Sequence, residues 1–211
     1  MDKSSPFRKL WLDVRSRAFP GSTSNHHLAT LVGLLVATVE MNAFKTEYQS
    51  QVLRNARAFA RYLSDRGLDV EGDPSDGWTR THQVIVRVAR HGDGAAIARR
   101  LEENNIVVNY QALPDDETFL VSSGIRTGVS EMTRFGMDEA DFEPVADMMA
   151  RCIAGNENVA SEAAAFRAGF TGMRYTLPLE KSLELAARAL WSAFPTDDYA
   201  RLLADNIKAR I

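Results

Sequence analysis

The stretch Ser122-Ser123-Gly124-Ile125-Arg126-Thr127-Gly128 places an arginine between two glycines, directly after the apolar run Phe119-Leu120-Val121. The apolar run predicts a strand, and the glycines beyond it let a backbone or a ligand come close. An arginine there can hold a carboxylate through two parallel hydrogen bonds. An ordinary surface arginine in a turn fits the same residues equally well. Upstream, Ile106-Val107-Val108 reads as another strand. Gly94 to Asn104 reads as a short amphipathic helix with Ile97 and Leu101 on one face. Val84, Ile85, Val86 and Val88 form a β-branched strand preceded by the turn-rich Gly72 to Gly77. Downstream, Asp138 is expected to cap a helix running through Phe142, Val145 and Met149 to Ile153. Elements in this compact order predict an α+β layer, a small sheet covered on one face by helices.

On the N-terminal side, Pro20 and Gly21 break the chain, and Ser22 to Asn25 continue a polar loop. Ser24 or Asn25 suits a helix cap. Leu28, Leu31, Leu35, Thr38 and Val39 then recur at helical spacing, in a segment apolar nearly all round and so expected to be buried. A second helical pattern runs through Val52, Ala56, Phe59 and Leu63, with Gly67 as its expected C-cap. On the C-terminal side, Gly155, Asn156 and Asn158 mark a linker. Helices follow around Ser161 to Ala168 and Pro178 to Phe194, the latter with a stripe of Leu179, Leu183, Ala186 and Leu190. The implied divisions are residues 1–66, 67–155 and 156–211.

The 211 residues are 45% hydrophobic and 25% charged, as in an ordinary globular protein, and the formal net charge is -3. That charge gives no general attraction to nucleic acid or to an anionic membrane. The run Leu28 to Val39 is too short to span a bilayer, and Glu40 and Asn42 follow it directly. The single cysteine, Cys152, cannot form an internal disulfide, and a cytoplasmic setting fits. No Gly-rich phosphate loop, paired-cysteine metal site or nucleophile elbow is found. His26 and His27 are adjacent and point apart on a helix, so they make a poor metal pair. The loop from Phe19 to His27 leads into a helix start whose free N–H groups suit an anion such as phosphate; a plain capping loop explains the same residues.

Several segments together resemble one family. Ser123-Gly124-Ile125-Arg126-Thr127-Gly128 and Met132-Thr133-Arg134-Phe135-Gly136-Met137 resemble the S-G-I-R-x-G…T-T-R-G-F stretch of serine hydroxymethyltransferases. Phe19-Pro20-Gly21 looks like their F-P-G loop, Glu47-Tyr48-Gln49 to Asn55-Ala56 like their E-Y-Q…N-A helix, and Val108-Asn109-Tyr110-Gln111 with Pro114 like their V-N-x-N…P turn. Order and spacing agree from about Phe19 to Ile153. Two departures, Thr23-Ser24-Asn25-His26 and Thr133-Arg134-Phe135-Gly136-Met137, are more similar to L-threonine transaldolases and weaken the case for folate as the one-carbon partner.

The resemblance implies the α+β C-terminal small domain of a fold-type I pyridoxal-phosphate enzyme. Its parts would be a small antiparallel sheet with helices on one face, a long buried N-terminal helix and a helical tail. It implies that Arg126 clamps the substrate carboxylate, that Ser24 and Asn25 approach the phosphate of pyridoxal 5'-phosphate, and that His26 lines the substrate pocket. The family's T-H-K-type lysine motif is absent, and Lys3 and Lys9 lack its context. The cofactor is therefore expected to be shared with a lysine-bearing large-domain chain or a complete homologue, in an oligomer acting on glycine or a β-hydroxy amino acid. A non-catalytic binding module and a truncated fragment are the alternatives. Neither nucleic acid nor membrane is an expected partner.

Overall fold

The computed structural model describes residues 7–23, 25, 27–118, 121–193 and 205. These divide into two compact units, one running from Ala43 to Thr176, the other made of residues up to Asn42 with those from Leu177 on.

The first unit is built on strands β1 (Asp69–Val70), β2 (Gln83–Arg87), β3 (Asn109–Gln111) and β4 (Gly124–Gly128). They form a four-stranded sheet in the order β1-β2-β4-β3, with every pairing antiparallel. Alternation along the strands sends Val84, Val86 and Ile125 to a buried face. Against that face pack the C-terminal part of helix α2 (Leu28–Asp65), helix α3 (Gly94–Glu103) and helix α5 (Phe142–Ala154). Phe59 of α2 and Phe142 of α5 meet with ring centroids 5.2 Å apart. Each fully buried Leu, Ile, Val or Phe of such a core contributes about 1.5–3 kcal/mol. Helices α4 (Ser130–Arg134) and α6 (Ala160–Arg167) complete the unit. The expected fold class is the one observed: α+β, antiparallel, helices on one face.

Several boundaries differ from the sequence reading, each for a local reason. The two helical patterns of residues 28–63 form one helix of 38 residues, because Glu40 to Gln51 contains no Gly or Pro to interrupt it. Its end is as expected. Gly67 has φ +79°, and the Leu68 amide donates to the Leu63 carbonyl at 3.1 Å, with Leu68 buried beneath. The strand expected at Ile106–Val108 lies three residues later. Ile106 and Val108 instead pack their side chains on the core as the chain leaves α3. Phe119 and Leu120 lie outside the described residues. Val121 is in a bend, and the strand is the glycine-flanked Gly124–Gly128 itself. Asp138 does not cap α5. It heads a turn, accepting from the Ala140 amide at 3.0 Å while its own amide donates to Asp141, and the helix begins at Phe142.

The second unit contains helix α1 (Arg8–Ser16), which the sequence reading missed, a kinked turn at Arg17–Ser22, the start of α2, and helix α7 (Leu179–Ala193). Helix α2 begins at Leu28, with the His27 carbonyl accepting from the Leu31 amide, one turn after the expected cap. Glu40 is buried and accepts from the Leu177 amide at 3.0 Å, which ties the tail to α2. The expected burial of the Leu28–Val39 segment is not found within this chain. Leu28, Leu31 and Leu34 are 46%, 49% and 60% exposed, and Leu10 and Trp11 of α1 are also exposed. An 18-residue window of α2 reaches a mean hydropathy of 1.4, so the full helix is long and apolar enough by length and composition to cross a bilayer.

Candidate carboxylate-binding site

Strand β4 carries Arg126 on the face of the sheet away from the helices. Its cross-strand partners are Ile85 on β2 and Asn109 on β3. Its neighbours on the same face of β4 are Gly124 and Gly128, since side chains alternate along a strand. Gly124 leaves room that another side chain uses, whereas a side chain at Gly128 would meet only ordinary contact. A Cβ on Gly124 would lie 2.7 Å from Leu113 Cδ2, so Leu113 is seated directly on that glycine. A Cβ on Gly128 would lie 3.5 Å from His82 Cδ2. Arg126 thus stands in a gap in the sheet surface, walled by Leu113 at one end and His82 at the other. A strand of two glycines is intrinsically poor, so this local cost points to a requirement for space.

Among the described residues the Arg126 side chain makes no hydrogen bond or ion pair, although the residue is half-buried. Arg87, on the same face and level with Gly124, is the opposite case. Its guanidinium grips Asp115 with bonds of 2.8 and 3.0 Å, reaches Glu71 at 2.7 Å and has Asp69 at 3.9 Å. The bonds to Asp115, then to Glu71, raise its pKa further above the ordinary arginine range, and Arg87 in turn holds the Asp115 carboxyl below the usual carboxylate range. Beside it lies an open hollow of about 630 Å³ lined by Glu71, Ile85, Gln111, Leu113, Pro114 and Asp116. A half-buried guanidinium with all its donors available is a receptor for a planar anion, above all a carboxylate, which it meets with two parallel bonds.

The E-Y-Q…N-A and T-R-F-G-M segments do different work. Asn55 is fully buried and donates to Thr133 Oγ1 at 2.8 Å and to the Met137 carbonyl at 2.9 Å. Gln51 Nε2 donates to Asn55 Oδ1 and to Glu139, and the Tyr48 hydroxyl donates to the Ser130 carbonyl at 3.0 Å. Burial raises the Tyr48 pKa, a shift only partly offset by that hydrogen bond and by Arg134. These side chains latch α2 to the turn after α4, where Gly136 sits at φ +99°. They hold the fold rather than line the open face.

A sequence profile described as Serine hydroxymethyltransferase matches residues 6–149. The chain belongs to the serine hydroxymethyltransferase family. It is 40% identical over 173 residues to a serine hydroxymethyltransferase of Pyrobaculum arsenaticum, covering 81% of this chain and 40% of that one. It is 46% identical over 138 residues to the enzyme of that name from Staphylothermus marinus, covering 64% and 31%. Among solved structures it resembles the L-threonine transaldolase from Pseudomonas fluorescens, with TM-score 0.72 and 31% identity over 90% of this chain and 43% of that one. The chain spans about 40% of the length of the curated relatives it matches, and the part it matches is their C-terminal portion.

Of the other expected site residues, Asn25 is described and exposed, and it belongs to the unit that does not contain Arg126. Ser24 and His26 lie outside the described residues. The family depends on pyridoxal phosphate, which needs a lysine for its Schiff base. The open-face positions around Arg126 are Gln83, Ile85, Arg87, Asn109, Gln111, Gly124 and Gly128, with no lysine. These residues do not by themselves fit the cofactor, and the chemistry they offer is recognition of an acid group. Leu113 and His82, which bound the gap, were not foreseen. The clue available in sequence was Gly124, whose missing side chain leaves the space that Leu113 takes.

Proposed function

We propose that this chain is the carboxylate-binding component of a pyridoxal-phosphate enzyme of serine hydroxymethyltransferase or threonine transaldolase type. It acts on glycine or a β-hydroxy amino acid in aldol or retro-aldol chemistry at the Cα–Cβ bond. A separate lysine-bearing chain, or a complete homologue, supplies the lysine and shares pyridoxal 5'-phosphate. The observation that carries this reading is the half-buried Arg126, whose side chain has no partner among the described residues and stands between two glycines on the open face. In its role the Arg126 guanidinium binds and orients the substrate carboxylate, while the walls at Leu113 and His82 limit where the rest of the molecule goes. Ser24 and Asn25 approach the cofactor phosphate, and His26 lines the substrate pocket. The exposed apolar residues of α1 and the start of α2 support a protein partner, because no described residue buries them. The working form is a cytoplasmic oligomer.

The test is gentle purification of the tagged chain from its source cells, followed by visible absorption spectroscopy. The expected result is a second chain together with a cofactor band that shifts on adding glycine or L-threonine. A colourless chain that comes down alone would refute the proposal.

A further inference from the structure

The segment between β3 and β4 forms the Leu113 wall of the Arg126 gap, and it is fastened twice. Inside the loop, Asp116 Oδ2 accepts from the Leu113 amide at 2.7 Å and from the Ser123 amide at 3.0 Å, which joins the two ends of the loop. Across to the sheet, Arg87 forks onto the neighbouring Asp115 while also holding Glu71. The two fastenings have different consequences. The Asp116 bonds set the shape of the loop. The Arg87–Asp115 pair sets where that shape lies on the sheet.

We propose that Arg87 is a positioning residue for the Arg126 site: by holding Asp115 against β2 it keeps Leu113 seated on Gly124, and so fixes the wall that guides a carboxylate onto Arg126. The inference rests on the reading of Arg126 as a carboxylate receptor. Register supports it, since Arg87 lies directly across from Gly124, the residue Leu113 covers. Charge supports it too. Glu71 and Asp115 both lie within 3.0 Å of one guanidinium, so without that cation two carboxylates face each other. Their repulsion drives the loop off the face. Lysine at position 87 neutralises the pair but cannot fork onto Asp115, so it restores the seat only in part.

The test is methyl and amide NMR on this 23.4 kDa chain, with glycine as the probe. In the unaltered protein a nuclear Overhauser contact joins the Leu113 methyls to the Gly124 Hα, and glycine shifts the Gly124 and Gly128 amides in a saturable way. Arg87→Met is expected to abolish the contact and weaken glycine binding about tenfold, which is about 1.4 kcal/mol. Arg87→Lys recovers part of both, and Arg126→Ala abolishes the glycine response while keeping the contact. A contact that survives in Arg87→Met overturns the brace. A lost contact with unchanged glycine affinity overturns its positioning role. If glycine produces no response in the unaltered protein, the carboxylate reading of Arg126 itself fails and takes the positioning role with it, whatever the contact shows.

Discussion

The two halves of helix α2 are alike in sequence and opposite in circumstance. In the C-terminal half, Val52, Asn55, Ala56, Phe59, Ala60 and Leu63 are all buried against the sheet and its helices. In the N-terminal half, Leu28, Leu31 and Leu34 recur at comparable spacing and stand exposed. Helical periodicity states that a face is apolar, not what covers it. The comparison separates a part of the helix that completes a core from a part whose apolar residues stand exposed among the described residues. The curated members of the family are more than twice as long as this chain.

The sharpest way to break the comparison is to truncate each half. Leu63→Ala should lower unfolding free energy by about 2–5 kcal/mol in a denaturant titration, because a fully buried leucine leaves a cavity. Asn55→Ala should cost about 1–3 kcal/mol in the same titration, since Gln51 and Thr133 lose buried partners. Leu31→Asp with Leu34→Asp should change the stability of the isolated chain by less than about 0.5 kcal/mol, as exposed positions do. The same pair should abolish recovery of the coloured complex. Equal destabilisation by the two sets would erase the distinction between the halves.

A smaller effect concerns pH. Arg87 depresses the Asp115 pKa, so the pairing is present above the ordinary aspartate value of about 3.9 and is lost as pH falls through the lower folded value. Glu71, Asp69 and Asp116 face the same guanidinium or its loop. The Leu113–Gly124 contact should therefore persist at pH 5 in the NMR experiment and disappear only below the usual carboxylate range. Loss of the contact near neutrality would show that another group controls the loop.

Much of the architecture was legible because it follows from periodicity. The Val84–Val88 strand, α3, α5, the tail helices and the Gly67 cap all sit within a few residues of their expected places. The errors arose where a residue's preference answered to something distant. Gly124 hid a strand because it makes room for Leu113, which reaches it from the preceding loop. Ile106 and Val108 imitated a strand because their apolar side chains serve the core from a turn. Asp138 looked like a cap because Asp, whether in a turn or at a helix start, accepts from nearby amides in the same way. In the site, Arg126 stood out by its glycine flanks, but its lack of an ion partner required the fold, as did the contrast with Arg87. For Ser24 and His26, outside the described residues, the expectation stands on resemblance alone.

The most direct test of the central claim is the amino-acid dependence of the cofactor band in the complex with the proposed lysine-bearing partner, compared between the unaltered chain and Arg126→Ala. Loss of a charge-assisted pair worth about 1.5–3 kcal/mol predicts that the variant keeps the band but needs on the order of 10- to 100-fold more glycine or L-threonine to shift it. An unchanged midpoint would contradict the assignment of Arg126 as the group that holds the substrate carboxylate.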